Sequence, residues 1–208
     1  MFSIIVNILS FLTLGSALAF TSIQYNFSTG MIGAIVLVTY GLFMKQHWGA
    51  QSDGTCQGVY HCEQALRIQL SAYTLLLGHM SLALLHTEID MHVGSGTTIA
   101  IDSWMMTLAA IATEFIFRRH RKIIDERDAL YSANAVVWGY RSLASMTILF
   151  AMYLALTPPS FRSHISNFTI GNILIALCLG SYCAYIAVRL YPYFHDRKLS
   201  EADGGDNG

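Results

Sequence analysis

The sequence predicts an all-α integral membrane protein, a polytopic bundle of about six transmembrane helices. Of its 208 residues, 54% are hydrophobic and only 12% are charged, about half the charged share of soluble domains. Apolar runs long enough to cross a bilayer recur along the chain. The only dense charge cluster, residues 118–128, separates two of these runs. Charged turns between apolar runs are typical of membrane hairpins.

Windows of about 20 residues define six spans within a transmembrane domain that covers residues 1–198. They are Phe2–Ser22, Thr29–Met44, Ile68–Leu85, Ser103–Phe117, Ala133–Thr157 and Thr169–Leu190. The first span resembles a signal peptide near Ser16–Ala19, but no Lys or Arg precedes it, so we expect it to remain uncleaved. Residues 199–208 are acidic and glycine-rich, and we expect a disordered tail there.

The distribution of Lys and Arg predicts the orientation. With both termini in the cytoplasm, only Arg162 lies outside and Arg141 lies within a span. The other basic residues are then all cytoplasmic, which satisfies the positive-inside rule. A net charge of −1 without a concentrated basic surface argues against nucleic acid as a partner.

Two internal similarities indicate a tandem hairpin repeat. Residues 38–45 resemble residues 112–119, and residues 67–76 resemble residues 141–149. Chance similarity between apolar segments explains the same matches, and the sequence leaves both explanations open.

Small residues recur at spacings of three and four, which predicts faces where helices pack closely. These residues are Ser71, Thr74, Gly78 and Ser81 in the third span, Ala135, Gly139 and Ser142 in the fifth, and Gly171, Cys178 and Ser181 in the sixth.

Three ionisable residues lie within predicted spans: His79, Glu114 and Arg141. Burying such groups in a membrane is costly unless they are paired or hydrated, so each is a functional candidate. Glu114 and Arg141 belong to consecutive helices, and an ion pair between them is one interpretation. A transport or proton-relay path is the other. His79 is either a core histidine or a proton or ligand site.

Possible metal ligands cluster after the third span, at His86, Glu88, Asp90 and His92. Side chains four residues apart share one face of a helix and can chelate a divalent ion, while a hydrated acidic helix end explains the same residues. His79 and His86 share a face, as haem ligands would. We expect no cofactor, with haem or a divalent metal as the alternatives. We expect Asp102 on the outer surface, where it can pair with Arg162.

The charge cluster predicts a cytoplasmic patch that contacts lipid head groups or a partner protein, or else a stable turn between two helices. Its members are Arg118, Arg119, Arg121, Lys122, Asp125, Glu126, Arg127 and Asp128.

The segment Ile124–Leu130, followed by Ala133 and an aromatic-rich helix through Trp138 and Tyr140, resembles a group of uncharacterised small bacterial multi-pass membrane proteins. Their shared feature is a D-E-R-D or D-E-R-E block that opens a transmembrane helix. The resemblance covers a minor part of the chain. It implies a bacterial inner membrane and supplies no active site.

The chain contains no G-x-S-x-G, kinase or hydride-transfer motif. The leading hypothesis is therefore a non-enzymatic accessory or assembly subunit of a membrane complex, whose partners are the lipid bilayer and other membrane subunits or further copies of itself. A small transporter or channel that uses Glu114, Arg141 and His79 is the alternative. A haem- or metal-binding redox membrane protein is the third.

Overall fold

The computed structural model describes residues 2–25, 27–50, 57–85, 98–117, 126–158 and 167–204. These residues form six helices: α1 Phe2–Tyr25, α2 Thr29–Ala50, α3 Gln57–Leu85, α4 Thr98–Phe117, α5 Glu126–Leu156 and α6 Asn167–Gly204. Each helix is long and apolar enough to cross a membrane. The predicted all-α bundle with six membrane-length helices is confirmed.

Several helices extend beyond their apolar segments. α3 begins at Gln57, α4 at Thr98 and α5 at Glu126, each before the predicted span. Backbone hydrogen bonds favour helix continuation into the polar boundary of a membrane. α6 includes residues 199–204, where the sequence suggested a disordered tail, and residues 205–208 lie outside the described part of the chain.

α1 and α3 run parallel and pack more closely than side chains permit. A Cβ atom on Gly15 would lie 2.0 Å from the carbonyl oxygen of Leu75, and one on Gly78 would lie 2.2 Å from that of Leu12. Only glycine fits at such distances, as in other close helix pairs in membranes. The predicted packing role of Gly78 is confirmed.

α2 and α4 also run parallel. Gly33 of α2 faces Met106 of α4, and Gly41 faces Thr113. The similar segments 38–45 and 112–119 therefore belong to neighbouring helices. Neighbouring positions say nothing about common origin, so the tandem repeat stays a prediction.

α5 packs antiparallel to α6. Ala135 and Gly139 are buried in α5, and Ser181 Oγ donates a hydrogen bond to the Gly139 carbonyl oxygen at 3.2 Å. These predicted packing residues are confirmed. The predicted packing roles of Gly171 and Cys178 in α6 are wrong. A Cβ on Gly171 would meet nothing within 4 Å, and Cys178 is exposed. The reason is that α5 contacts the part of α6 around Ser181.

α3 occupies the centre of the bundle, in contact with α1, α4 and α6. Its residues Leu70 and Leu76 are fully buried, together with Met106 of α4 and Ile186 of α6. α3 is antiparallel to α4, because Tyr73 contacts Glu114 whereas the later His79 contacts the earlier Ser103. It is also antiparallel to α6, because Tyr73 contacts Tyr182 whereas the earlier Arg67 contacts the later Phe194. Helices α1, α3 and α5 thus begin at one end of the bundle, here called the N-terminal end. Helices α2, α4 and α6 begin at the other, here called the opposite end.

Candidate functional site

Glu114 joins three helices in a half-buried position between them. Tyr73 of α3 donates its hydroxyl proton to Glu114 Oε2 at 3.0 Å. Tyr182 of α6 donates to Glu114 Oε1 at 3.1 Å. The two tyrosine rings meet edge to face, with centroids 4.7 Å apart. Both carboxylate oxygens are therefore held by neutral donors in this tyrosine-carboxylate junction, which consists of Tyr73, Glu114 and Tyr182.

Two further polar residues of α6, Tyr185 and Arg189, follow Tyr182 of the junction. The ring of Tyr182 stacks on that of Tyr185 at a centroid distance of 5.6 Å. Arg189 Nη1 donates a hydrogen bond to the Tyr185 hydroxyl at 3.3 Å. A guanidinium group is thus connected to the Glu114 region through two aromatic rings, on the side towards the N-terminal end.

Arg141 does not reach Glu114. Its side chain lies on the exposed face of α5, with the guanidinium carbon 5.6 Å from the centre of the Trp138 ring. Within the described ranges, ion pairs join Arg67 to Glu63 and Arg127 to Asp196. The Glu114–Arg141 ion pair, one of the two interpretations of these residues, is not formed, because α4 packs against α2 and α3 whereas α5 packs against α6.

His79 is fully buried on α3. Its Nδ1 lies 3.2 Å from the hydroxyl oxygen of Ser103, which donates its proton to the Ile99 carbonyl at 2.9 Å. Since Ser103 has one hydroxyl proton, this geometry assigns the ring proton to Nδ1. Nε2 then accepts no hydrogen bond from any residue that the structure describes.

His79 and Glu114 belong to separate polar groups. Tyr73, which binds Glu114, precedes His79 by six residues on α3, a rise of about 9 Å along the helix. The structure therefore brings His79 towards Ser103, and it does not connect the three predicted transport residues in one path.

Asp102 forms a third polar group at the opposite end. The side chain is fully buried, and it accepts hydrogen bonds from Ser22 at 2.8 Å and from Ser28 at 2.6 Å. A Cβ on Gly30 would lie 2.3 Å from the Asp102 Cβ. α2 begins at Thr29, so the carboxylate lies near the positive end of the α2 dipole.

The expected exposure of Asp102 on the outer surface is wrong. α4 begins at Thr98, before the predicted span, and its first turns are already inside the bundle. Asp102 shares its helical face with Met106, Ala109 and Thr113, all of them buried. That spacing was the available signal, since positions four, seven and eleven residues apart lie on one side of a helix.

The predicted metal site belongs to a segment that the structure does not describe. His86, Glu88, Asp90 and His92 lie outside the described residues. Among the residues that are described, no three His, Cys, Asp or Glu side chains are close enough together to hold a metal ion. A divalent metal or haem site that includes His86 stays a prediction.

The described part of the charge cluster attaches α5 to α6. Arg127 Nη1 donates to Asp196 Oδ2 at 3.2 Å, and the Tyr131 hydroxyl donates to the same oxygen at 2.9 Å. Tyr193 donates a hydrogen bond to Asp128, and Glu126 is exposed at the start of α5. Arg118, Arg119, Arg121, Lys122 and Asp125 lie outside the described residues. These contacts join α5 to α6, and both interpretations of the charge cluster, a contact patch or a stable turn between α4 and α5, stay predictions.

Six apolar helices around buried polar groups define a multi-pass helical membrane protein. Compared with protein families, curated proteins and solved structures, the chain matches none. The site residues are therefore assigned from their own geometry.

Proposed function

We propose that the chain is a non-enzymatic accessory or assembly subunit of a membrane complex, and that α5 contacts the partner. The observation that supports this role is the position of Arg141. It lies on an exposed helix face and has no carboxylate partner among the described residues. α5 has the smallest buried share of the six spans and packs mainly against α6.

An exposed arginine within an apolar helix is costly in lipid. Insertion scales give about 2.5–3.5 kcal/mol for a charged residue at the centre of a span. A carboxylate on a partner helix offsets this cost by forming an ion pair. Trp138 and Tyr140 are 50% and 72% exposed beside Arg141, and aromatic residues with arginine are typical of strong protein contacts. We therefore expect a partner helix with an acidic residue at the depth of Arg141.

The distribution of Lys and Arg supports an orientation with both termini in the cytoplasm, and the D-E-R-D resemblance supports a bacterial inner membrane. In that orientation, the charge cluster at the start of α5 faces the cytoplasm. We expect the cluster to contact the same partner or anionic lipid head groups there.

Substitution of Arg141 tests the subunit role. We expect Arg141→Leu to reduce the amount of co-purifying partner about tenfold or more, because loss of one buried ion pair costs at least about 1.4 kcal/mol. Arg141→Lys retains the charge and is expected to retain most of the partner. The measurement is quantitative mass spectrometry of the tagged protein purified from native membranes in mild detergent. If the natural protein, Arg141→Leu and Arg141→Lys all recovered equal amounts of the partner, the proposed role of Arg141 would be contradicted.

A small transporter is the second candidate, and the tyrosine-carboxylate junction favours it. A carboxylate that faces a bundle interior commonly marks an ion or proton path. Here both of its oxygens accept hydrogen bonds from tyrosine hydroxyls, groups that release and accept protons or coordinate cations. The junction also connects three helices of the bundle, α3, α4 and α6.

Glu114→Gln separates this candidate from the subunit role. If Glu114 carries protons or cations, the glutamine variant is expected to lose at least about 90% of flux in proteoliposomes while it elutes normally in detergent. Tyr73→Phe removes one hydroxyl and is the matched change, with a smaller expected loss. Wild-type proteoliposomes without flux above empty liposomes would remove the transporter candidate, and unchanged flux in Glu114→Gln would remove Glu114 from the path.

A further inference from the structure

A small cleft opens between α4 and α6, with α3 as its floor. Its volume is about 40 Å³, and its polar lining consists of Ser103, Thr107 and Asn172. Trp104 and Ile175 flank the opening and are 54% and 39% exposed. The cleft therefore opens on the outside of the bundle, where the six spans meet lipid, and it has room for about one water-sized group.

The depth of the cleft follows from helix geometry. Ser103 and Asn172 each lie five residues after the first residue of their helix, which is about 8 Å at 1.5 Å per residue. α4 has 20 residues, so its length of about 30 Å matches the hydrocarbon thickness of a bilayer. The polar lining thus lies just inside the membrane at the opposite end.

The lining presents acceptors on one side and an unused amide on the other. Ser103 donates its hydroxyl proton to the Ile99 carbonyl at 2.9 Å. Thr107 donates to the Ser103 carbonyl at 2.7 Å. Both α4 hydroxyl groups therefore offer lone pairs only. The Asn172 side chain forms no hydrogen bond to the described residues, so its amide is an available donor across the cleft.

We propose that this cleft binds the hydroxyl group of a long-chain alcohol dissolved in the membrane. A hydroxyl oxygen accepts from Asn172 while its proton is donated to Thr107, which uses both sides of the cleft at once. A carbonyl or ether oxygen accepts from Asn172 and leaves the α4 acceptors unmatched. The apolar chain of the alcohol leaves the cleft between Trp104 and Ile175 and continues into the lipid.

The test uses the full chain in lipid nanodiscs and 1-hexadecanol with a photoactivatable diazirine in its alkyl chain. The methyl ether of the same probe is the control. We expect the alcohol to label the α4 and α6 peptides that contain Trp104 and Ile175, with competition by unlabelled hexadecanol. Labelling by the ether is expected to be about tenfold weaker, since it lacks the proton for Thr107. Equal labelling by alcohol and ether would overturn the proposal.

Variants assign the binding to the cleft. Asn172→Leu is expected to reduce alcohol labelling to the level of the ether, whereas Thr147→Leu, a change at an exposed position of α5, is expected to leave it unchanged. Thr107→Val keeps the shape of the side chain and removes the acceptor, and it serves as the second variant if Asn172→Leu does not yield monodisperse protein. Undiminished labelling in a folded Asn172→Leu or Thr107→Val variant would overturn the proposal.

Discussion

Adding one methyl group at Gly15 or Gly78 is expected to lower the free energy of unfolding by about 2 kcal/mol. At both positions the new Cβ would lie 2.0–2.2 Å from a backbone carbonyl oxygen of the facing helix. Backbone atoms cannot rotate away as a side chain can, so α1 and α3 must separate. Overpacking of this kind costs about 1–3 kcal/mol. Separation also lengthens the hydrogen bond from Ser16 to the Gly78 carbonyl, which is 3.2 Å long.

Gly171→Ala is the matched control, because a Cβ at Gly171 meets nothing within 4 Å. Alanine stabilises an open helical position by about 0.5–1 kcal/mol relative to glycine, so this variant is expected to be slightly more stable than the natural protein. The measurement is unfolding by SDS titration in mixed micelles, monitored by circular dichroism or tryptophan fluorescence. The close packing of α1 on α3 would be contradicted if Gly15→Ala and Gly78→Ala behaved like Gly171→Ala.

Replacement of Asp102 by asparagine is expected to destabilise the opposite end of the bundle by about 2 kcal/mol. Asparagine retains the shape of the side chain, which matters because Gly30 packs directly on it. It replaces one acceptor oxygen by an amide group, so one of the two serine hydrogen bonds is lost. It also removes the negative charge near the start of α2, where the dipole favours an anion by about 0.3–1 kcal/mol.

A double-mutant cycle distinguishes the hydrogen bonds from general packing. Ser28→Ala alone is expected to cost about 1 kcal/mol, and the cost is expected to be smaller in an Asp102→Asn background, because the two residues share one interaction. The readout is the SDS midpoint of the four proteins. If Asp102→Asn raises the stability, the desolvation cost of the carboxylate exceeds the benefit of its hydrogen bonds. That result would contradict a stabilising role for Asp102.

The number and type of the helices followed from the sequence because hydrophobic length is a direct consequence of bilayer thickness. Small residues on α3 and α5 also indicated packing faces, of which Gly78 and Gly139 are examples. The helix partners could not be predicted in the same way. The fourth and fifth helices, which carry Glu114 and Arg141, were interpreted as a packed hairpin, whereas α4 contacts α2 and α3, and α5 contacts α6.

That difference explains the errors at the candidate site. Glu114 was identified as an ionisable residue within a span, but its partners Tyr73 and Tyr182 were missed. Tyrosines in apolar helices are usually packing or interfacial residues, and only the tertiary contact of α3 with α6 brings these two hydroxyls together. Gly15 was missed as well, because the small residues around it resembled a signal-peptide cleavage site.

The described helices enclose polar groups, and α5 leaves one face exposed. Among the described residues, polar groups around Glu114, His79 and Asp102 are each held by residues of at least two helices. The surface of α5 carries Arg141 without a carboxylate among the described residues. Interior contacts explain why these helices assemble, and the surface of α5 is the basis for the proposed subunit role.

Photo-crosslinking from α5 in native membranes tests the subunit role most directly. A photoreactive amino acid at Ser145, four residues after Arg141 and exposed, is expected to form a discrete adduct with a second membrane protein. Arg141→Leu is expected to abolish the adduct, and the same amino acid at Leu9, which is 55% exposed on α1, is expected to yield none. If Ser145 produces only lipid adducts at native expression level, α5 faces lipid and the proposed subunit role is contradicted.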